Sequence, residues 1–221
     1  LYGRSFDMLL AEMTSPQIEA LPRDILVLIP VASCEQHSLH LPVFTDSLIG
    51  QEVARRVHER CPDDVLVLPV QWLGYSQHHI RYAGTVSAVS ETHLLIMMDI
   101  VASMAEHGFK KILIQNSHGG NRSNISVLLQ RLMERYGDRG VEFYTRWAWG
   151  KPEVLDEIRE LGSVGSGHAG ETETAMIMAM TIVWMIMMMT MMKMMVMMML
   201  MLMLMLLLLL MMLVMVPVYA F

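Results

Sequence analysis

The sequence predicts an α/β protein whose mostly parallel sheet is covered on both faces by helices. Short, continuous apolar runs suit strands buried on both sides. They alternate with amphipathic stretches of helical period, and that alternation is the signature of a parallel sheet. The end of the chain differs from the rest: 20 of the 26 methionines lie from Met176 onward.

Ile25–Pro30 is the first strand run. Ser47–Arg60 follows as a helix, with Ile49, Val53 and Val57 four residues apart on one stripe. Val65–Pro69 is the second strand. Ser90–His107 is the second helix, with Ser90 as its cap, Leu94, Val101, Met104 and Ala105 on its apolar face, and Gly108 as its stop. Lys111–Gln115 is the third strand. Asn124–Tyr136 is the third helix, carrying Ile125, Leu128, Leu129 and Leu132 and ending at Gly137. Val141–Thr145 alternates and is a fourth strand candidate.

Composition limits the function. Hydrophobic residues make up 54 % of the 221, yet 42 of the 46 residues from Met176 are apolar, which leaves an ordinary soluble composition for the body. The formal net charge is −6 and no basic run occurs, so a nucleic-acid partner is not expected. Cys34 and Cys61 make no disulfide framework, which fits a reducing, cytoplasmic setting. No secretory signal opens the chain, and the lack of an initiator Met reads as a fragment.

The domain boundary is expected at 181/182, with a soluble body over 1–181 and a Met/Leu-rich tail over 182–221. From Met185 to Val216 only Met, Ile, Thr, Lys, Val and Leu occur. Each is encoded within one base of ATG, as a drifting ATG repeat or noisy sequence over one would produce. The competing reading is a membrane segment: Met194–Val216 has no charge and is long enough to span a bilayer. It lacks flanking Lys/Arg clusters and small packing residues.

Three clusters carry the chemistry. Glu35-Gln-His37 through His40 to Asp46 follows the first strand. Asn116-Ser-His118-Gly-Gly-Asn121 follows the third. Gly167-His168-Ala-Gly-Glu171-Thr-Glu173-Thr174 opens a helix. Two of the three leave the carboxyl ends of strands, where open α/β sheets bind ligands. Imidazole and carboxylate suit zinc, manganese or iron and not a thiolate site. Asp46, where loop becomes helix, is placed to bridge two ions, and a paired site activates water for hydrolysis. His168, from a separate segment, is free to act as acid or base. Gly119 and Gly120 permit close backbone approach.

These motifs, with Gly74-Tyr-Ser76-Gln-His78-His79 and Gly84-Thr85-Val-Ser87, resemble the creatininase (creatinine amidohydrolase) family over about Leu10 to Met180. The resemblance implies a three-layer α/β/α sandwich, two divalent ions per subunit, a homohexamer, and hydrolysis of non-peptide or cyclic C–N amide bonds. It implies Glu35, His37, Asp46 and His118 as metal ligands, Asp46 bridging, with Glu173 in or beside the metal shell. It implies His168 as the catalytic histidine, and Ser76 and His79 as substrate-pocket residues, joined here by Gly119 and Gly120.

The sequence also departs from the family. Ser38 stands where many members have glycine, and Ala83 where proline is common. Gly119-Gly120 replace the Tyr-Glu of creatininase proper, whose Glu is a ligand. Gly165-Ser166-Gly167 replace a Trp-Asp pair. Creatinine is therefore not the expected substrate; formylated amines and modified peptides stay open. The alternative function is a membrane-tethered or non-catalytic remnant.

Other residues receive structural readings. Cys34 is a small strand-end residue. Trp72, Trp147 and Trp149 are core or interface. His78 and His107 are surface residues without a ligand role. His40 either orients a ligand or makes a surface contact. Glu171 either caps its helix or reaches the site.

Overall fold

The computed structural model describes residues 8–150, 152–158, 160 and 167–214. Four strands, β1 (Leu26–Val31), β2 (Val65–Val67), β3 (Lys111–Asn116) and β4 (Glu142–Trp147), form one sheet of order β2-β1-β3-β4. Every neighbouring pair is parallel. Among the described residues, six α-helices accompany them: α1 (Ser15–Glu19), α2 (Thr45–Arg60), α3 (Ser90–Glu106), α4 (Arg122–Tyr136), α5 (Pro152–Ile158) and α6 (Glu171–Val214).

β1, β2 and most of β3 are buried on both faces, whereas the edge strand β4 is largely exposed. Along the inner strands alternate side chains divide between two cores. Val27, Ile29 and Val31 of β1 join Ile112 and Ile114 of β3 against Leu94, Met97 and Val101 of α3 and Ile125, Leu128 and Leu132 of α4. Leu28 packs the other way, with Val65, Val67 and Ala54 of α2. The result is a three-layer α/β/α sandwich. Each fully buried aliphatic side chain of this kind stabilises by roughly 1.5–3 kcal/mol.

The predicted element ends move by at most two residues. β2 is shorter than the apolar run, ending at Val67 before Pro69; proline offers no N–H to a ladder. Ser90 is not a cap: it is the first residue of α3, and its hydroxyl donates to Asn124 Oδ1 at 2.6 Å, tying α3 to α4. α2 begins two residues earlier than predicted, at Thr45, whose hydroxyl donates to the Pro42 carbonyl at 2.6 Å. That shift puts Asp46 in the first turn of α2.

The chain order β2-β1-β3-β4 requires the crossover after β1 to run on one face and those after β2 and β3 on the other. The direction in which strands are added reverses between β1 and β3, which opens a crevice at their carboxyl ends. The chain divides into two compact units, Leu1–Ile177 and Met178–Phe221. In the second, the described part of α6 is exposed from Met185 on.

Candidate metal centre

The loop leaving β1, the first turn of α2 and the turn after β3 deliver Glu35, His37, Asp46 and His118 to that crevice. All four are at most 3 % exposed. Asp46 is held from behind. Ser33 Oγ donates to its Oδ2 at 2.7 Å, and Ser117 Oγ donates to its backbone carbonyl at 2.8 Å. Gln115 Nε2 donates to the Gly50 carbonyl at 2.8 Å, pinning α2 to β3.

Asp46 lies between two imidazoles. Its Oδ1 is 3.4 Å from His37 Nε2, and its Oδ2 is 2.9 Å from His118 Nδ1. The far nitrogen of each ring is committed elsewhere. His37 Nδ1 is 3.0 Å from the Glu35 carbonyl, and His118 Nε2 is 3.0 Å from the Tyr75 carbonyl. A carbonyl only accepts, so those nitrogens carry the protons. The neutral rings therefore present lone pairs at His37 Nε2 and His118 Nδ1, both toward Asp46.

Glu35 occupies the centre of a histidine ring. Its Oε1 is 3.2 Å from His168 Nδ1 and 3.5 Å from His118 Nδ1; its Oε2 is 3.1 Å from His79 Nδ1 and 3.6 Å from His78 Nε2. Burial alone would keep Glu35 protonated, but the His168 contact and the His118 charge hold its carboxyl at about 2. Burial likewise opposes ionisation of Asp46, and the imidazoles of His118 and His37 beside it keep it well below the usual range. Burial disfavours charge on His37, yet Asp46 raises it to about 9. Glu173 is pushed up by burial and by the Asp46 charge.

The donor set fits divalent cations. Glu35 Oε2, His37 Nε2 and His79 Nδ1 are buried yet form no hydrogen bond. Such atoms are costly unless something satisfies them. Among the described residues, three groups offer ligand atoms within 4.8 Å of one another: His37, Asp46 and Glu173; Glu35, His78 and His118; and Glu35, His37 and His168. Nitrogen and oxygen donors without sulfur suit zinc, manganese or iron.

Glu173 enters from the first turn of α6. Its Oε2 is 3.5 Å from His37 Nε2 and accepts from the Ala169 backbone N–H at 2.6 Å. A carboxylate at position 120 would require the Tyr75 turn or the His118 ring to move. A Cβ on Gly120 would fall 2.2 Å from the Tyr75 carbonyl oxygen and 2.4 Å from His118 Nε2. The glycine that displaces the Tyr-Glu pair is thus a steric requirement of the His118 setting.

A cavity of about 600 Å³ opens beside these groups. His168, His79, Gly119 and Gly120 line it, as do Glu35, Asp46, His118 and Glu173. Gln36 Nε2 donates to His168 Nε2 at 2.9 Å, a contact the sequence did not reveal. Ser76, expected on the pocket wall, is fully buried behind His118, with its hydroxyl 3.1 Å from His118 Nε2. It positions the ring, because residue 76 falls on the turn that wraps the imidazole's outer edge. His78 is exposed, as expected, and also lines the cavity, stacking on His118 at 5.8 Å and 5°. Its pairing with His79 in one turn was the available signal.

Trp147 and Trp149, read as core or interface, also line the cavity, because β4 ends beside β3. Trp72 is half-exposed near Phe44. Cys34 is buried, and burial raises its thiol pKa, which fits the structural reading. His40 Nε2 is 3.0 Å from Thr174 Oγ1, next to Glu173. Glu171 accepts from the Glu160 N–H at 2.8 Å. The Gly165-Ser166-Gly167 departure falls largely outside the described residues, and His107 is exposed.

Residues 11–185 match the family model Creatininase, described as creatinine amidohydrolase. The chain belongs to the creatininase family. A mycofactocin precursor peptide peptidase of Mycobacterium ulcerans is 31 % identical over 160 residues, covering 69 % of this chain and 57 % of that protein. The Pseudomonas putida creatinine amidohydrolase is 28 % identical over 191 residues, covering 79 % and 72 %. The chain thus spans 57 % of the length of that mycobacterial relative.

Solved creatininase structures superpose on the same region. A creatinine amidohydrolase crystal structure aligns with a TM-score of 0.70 at 27 % identity, covering 78 % of this chain and 72 % of that one. A manganese creatininase aligns at 0.69 and 26 %, covering 79 % and 73 %. A mutant creatininase of Zn-Zn type aligns at 0.70 and 26 %, covering 79 % and 72 %.

Proposed function

We propose that this creatininase-family chain is a metal-dependent amidohydrolase with two divalent ions per subunit, acting on a non-peptide, cyclic or formyl C–N amide bond. The observation that carries it is Asp46, whose two oxygens face two different imidazoles, each with its lone pair turned inward. Asp46 would be shared. Glu35 and His118 would complete one position, and His37 with Glu173 the other. Zinc, manganese or iron fits these donors, and a bound pair supplies a more acidic water and Lewis-acid polarisation of a carbonyl.

The chain's own residues do the rest. His168, set between Glu35 and Gln36, holds a proton on Nδ1 and passes it to the departing amide nitrogen. Tyr75 and Ser76 fix the tautomer of His118. Trp147 and Trp149 present apolar walls that keep bulk water off the reacting bond. Gly119 and Gly120 leave room for a substrate's backbone or ring.

Creatinine is not the proposed substrate, because the position of the family's Tyr-Glu pair is filled by glycines. The mycobacterial relatives' name makes a peptide bond the principal competitor. Elemental analysis of the purified chain, followed by assays with creatinine, N-formyl amines and a short peptide, tests the reading. Two ions per chain with formyl cleavage, lost in Asp46→Ala, is the expected result. Cleavage of the peptide alone would move the activity to peptide bonds, and full activity in Asp46→Ala would end the proposal. Cytoplasmic location and assembly as a homohexamer belong to the same reading; sedimentation tests the latter.

A second reading concerns the tail. Met188–Leu206 is a helical segment of 19 residues, long and apolar enough to cross a membrane, and none of it is buried. A tethered or non-catalytic domain follows if chains with residues 185–216 pellet with membranes and chains without them do not.

A further inference from the structure

We propose that the cavity takes amides carrying a carboxylate, and that Arg122, stacked on Trp147, is the residue that binds it. This deepens the hydrolase reading and rests on it for the identity of the scissile bond.

Arg122 opens α4 one turn after His118 and lines the same cavity as Glu35, Asp46 and His118. Its Cζ lies 4.4 Å from the centre of the Trp147 ring. The pairing follows from the fold: β3, α4 and β4 form one crossover unit, and the parallel register sets Asn116 opposite Trp147. The last residue of β4 therefore stands beside the strand end that leads to His118 and Arg122.

The guanidinium is held but not used. Arg55, Arg56 and Arg139 each meet a glutamate, and Arg23 donates to backbone carbonyls. Among the described residues Arg122 has no such acceptor; its one contact is the indole face. Stacking fixes the plane of the guanidinium and leaves its N–H edge open. The cavity's acids are turned to imidazoles and do not neutralise it. Thr172 Oγ1, on the same cavity wall, is also buried without a partner. A planar, oriented fork matches a carboxylate through two parallel hydrogen bonds.

The test uses the full-length chain loaded with zinc. N-formylglycine and N-formylglycinamide are titrated while tryptophan fluorescence is read, since Trp147 and Trp149 line the cavity. The two probes differ only in the carboxylate. The expected result is a preference for the acid of at least about tenfold, falling to about twofold or less in Arg122→Gln at unchanged zinc content and unfolding temperature. Arg122→Lys keeps the charge without the planar fork and should retain only part of the preference. Equal binding of both probes by the wild-type chain, or an unchanged preference in Arg122→Gln and Arg122→Lys, overturns the proposal. Because binding is read without turnover, failure to cleave either probe counts against the hydrolase reading and not against the carboxylate site.

Discussion

The backbone N–H of Ala169 donates to Glu173 Oε2 at 2.6 Å, and the same oxygen lies 3.5 Å from His37 Nε2. Ala169 adopts φ +53°, a left-handed backbone that non-glycine residues rarely take. The strained turn links His168 and Glu173, so one short loop positions both His168 and the proposed carboxylate ligand Glu173. Glu173→Gln is therefore expected to weaken one ion by at least about tenfold while the other stays, and Asp46→Asn to lose both. Elemental analysis after dialysis distinguishes these outcomes. Unchanged occupancy in Glu173→Gln would remove it from the ligand set.

Metal uptake should depend on pH. In the metal-free chain His37 stays protonated up to about 9, because the Asp46 carboxylate beside it outweighs the cost of its burial. An ion needs the neutral ring, so at neutral pH it must displace that proton. Apparent zinc affinity is expected to rise about tenfold per pH unit through the neutral range and to level off above pH 9. Zinc competition titrations over that range check it, and a pH-independent affinity would contradict it.

His93 should make the fold acid-sensitive. It is buried beside Asn124, and burial, with a smaller effect from the His118 charge, lowers its pKa from 6.5 to about 4. The unfolded chain then takes up the proton first as pH falls. Stability is full above pH 6.5 and is lost progressively toward pH 4, by up to about 3 kcal/mol. His93→Gln is expected to lose less over that interval. Urea unfolding of both proteins with chelator present measures the difference; parallel curves would refute the assignment.

Two backbone positions make opposite predictions. Ser38, where many family members carry glycine, has φ +58°. Ser38→Gly relieves that strain and should stabilise by about 0.5–1 kcal/mol net of the added unfolded-state entropy. Gly120→Ala forces a Cβ against the Tyr75 carbonyl and His118. It should cost about 1–3 kcal/mol and lower zinc content, because the ring it displaces is a proposed ligand. Thermal unfolding of the two variants reads both signs.

Much of the site was legible in the chain because ligands must be spelled as particular residue types next to strand ends. Glu35, His37, Asp46 and His118 follow β1 and β3 in sequence, and the structure brings all four together. His168 and Glu173 lie much farther along, and only their Gly-His-Ala-Gly-Glu context marked them. The strand centres of β1, β2 and β3 were readable from short apolar runs alternating with amphipathic helical stretches. Their ends were not, because a helix start such as Thr45 is decided by a single hydroxyl finding the Pro42 carbonyl.

By itself the sequence determined the parallel α/β architecture, the candidate nitrogen and oxygen donors, and the change to an almost wholly apolar composition from Met176 on. Each depends on which residues occur and in what local pattern. Tertiary structure decided the rest. It buried Ser76 behind His118, brought His78 onto that ring, and laid Arg122 on Trp147. None of these pairs is close enough in the chain for periodicity to relate them. They meet because the parallel register aligns the ends of β3 and β4, and because the turn at 74–79 folds over the crevice beside β1.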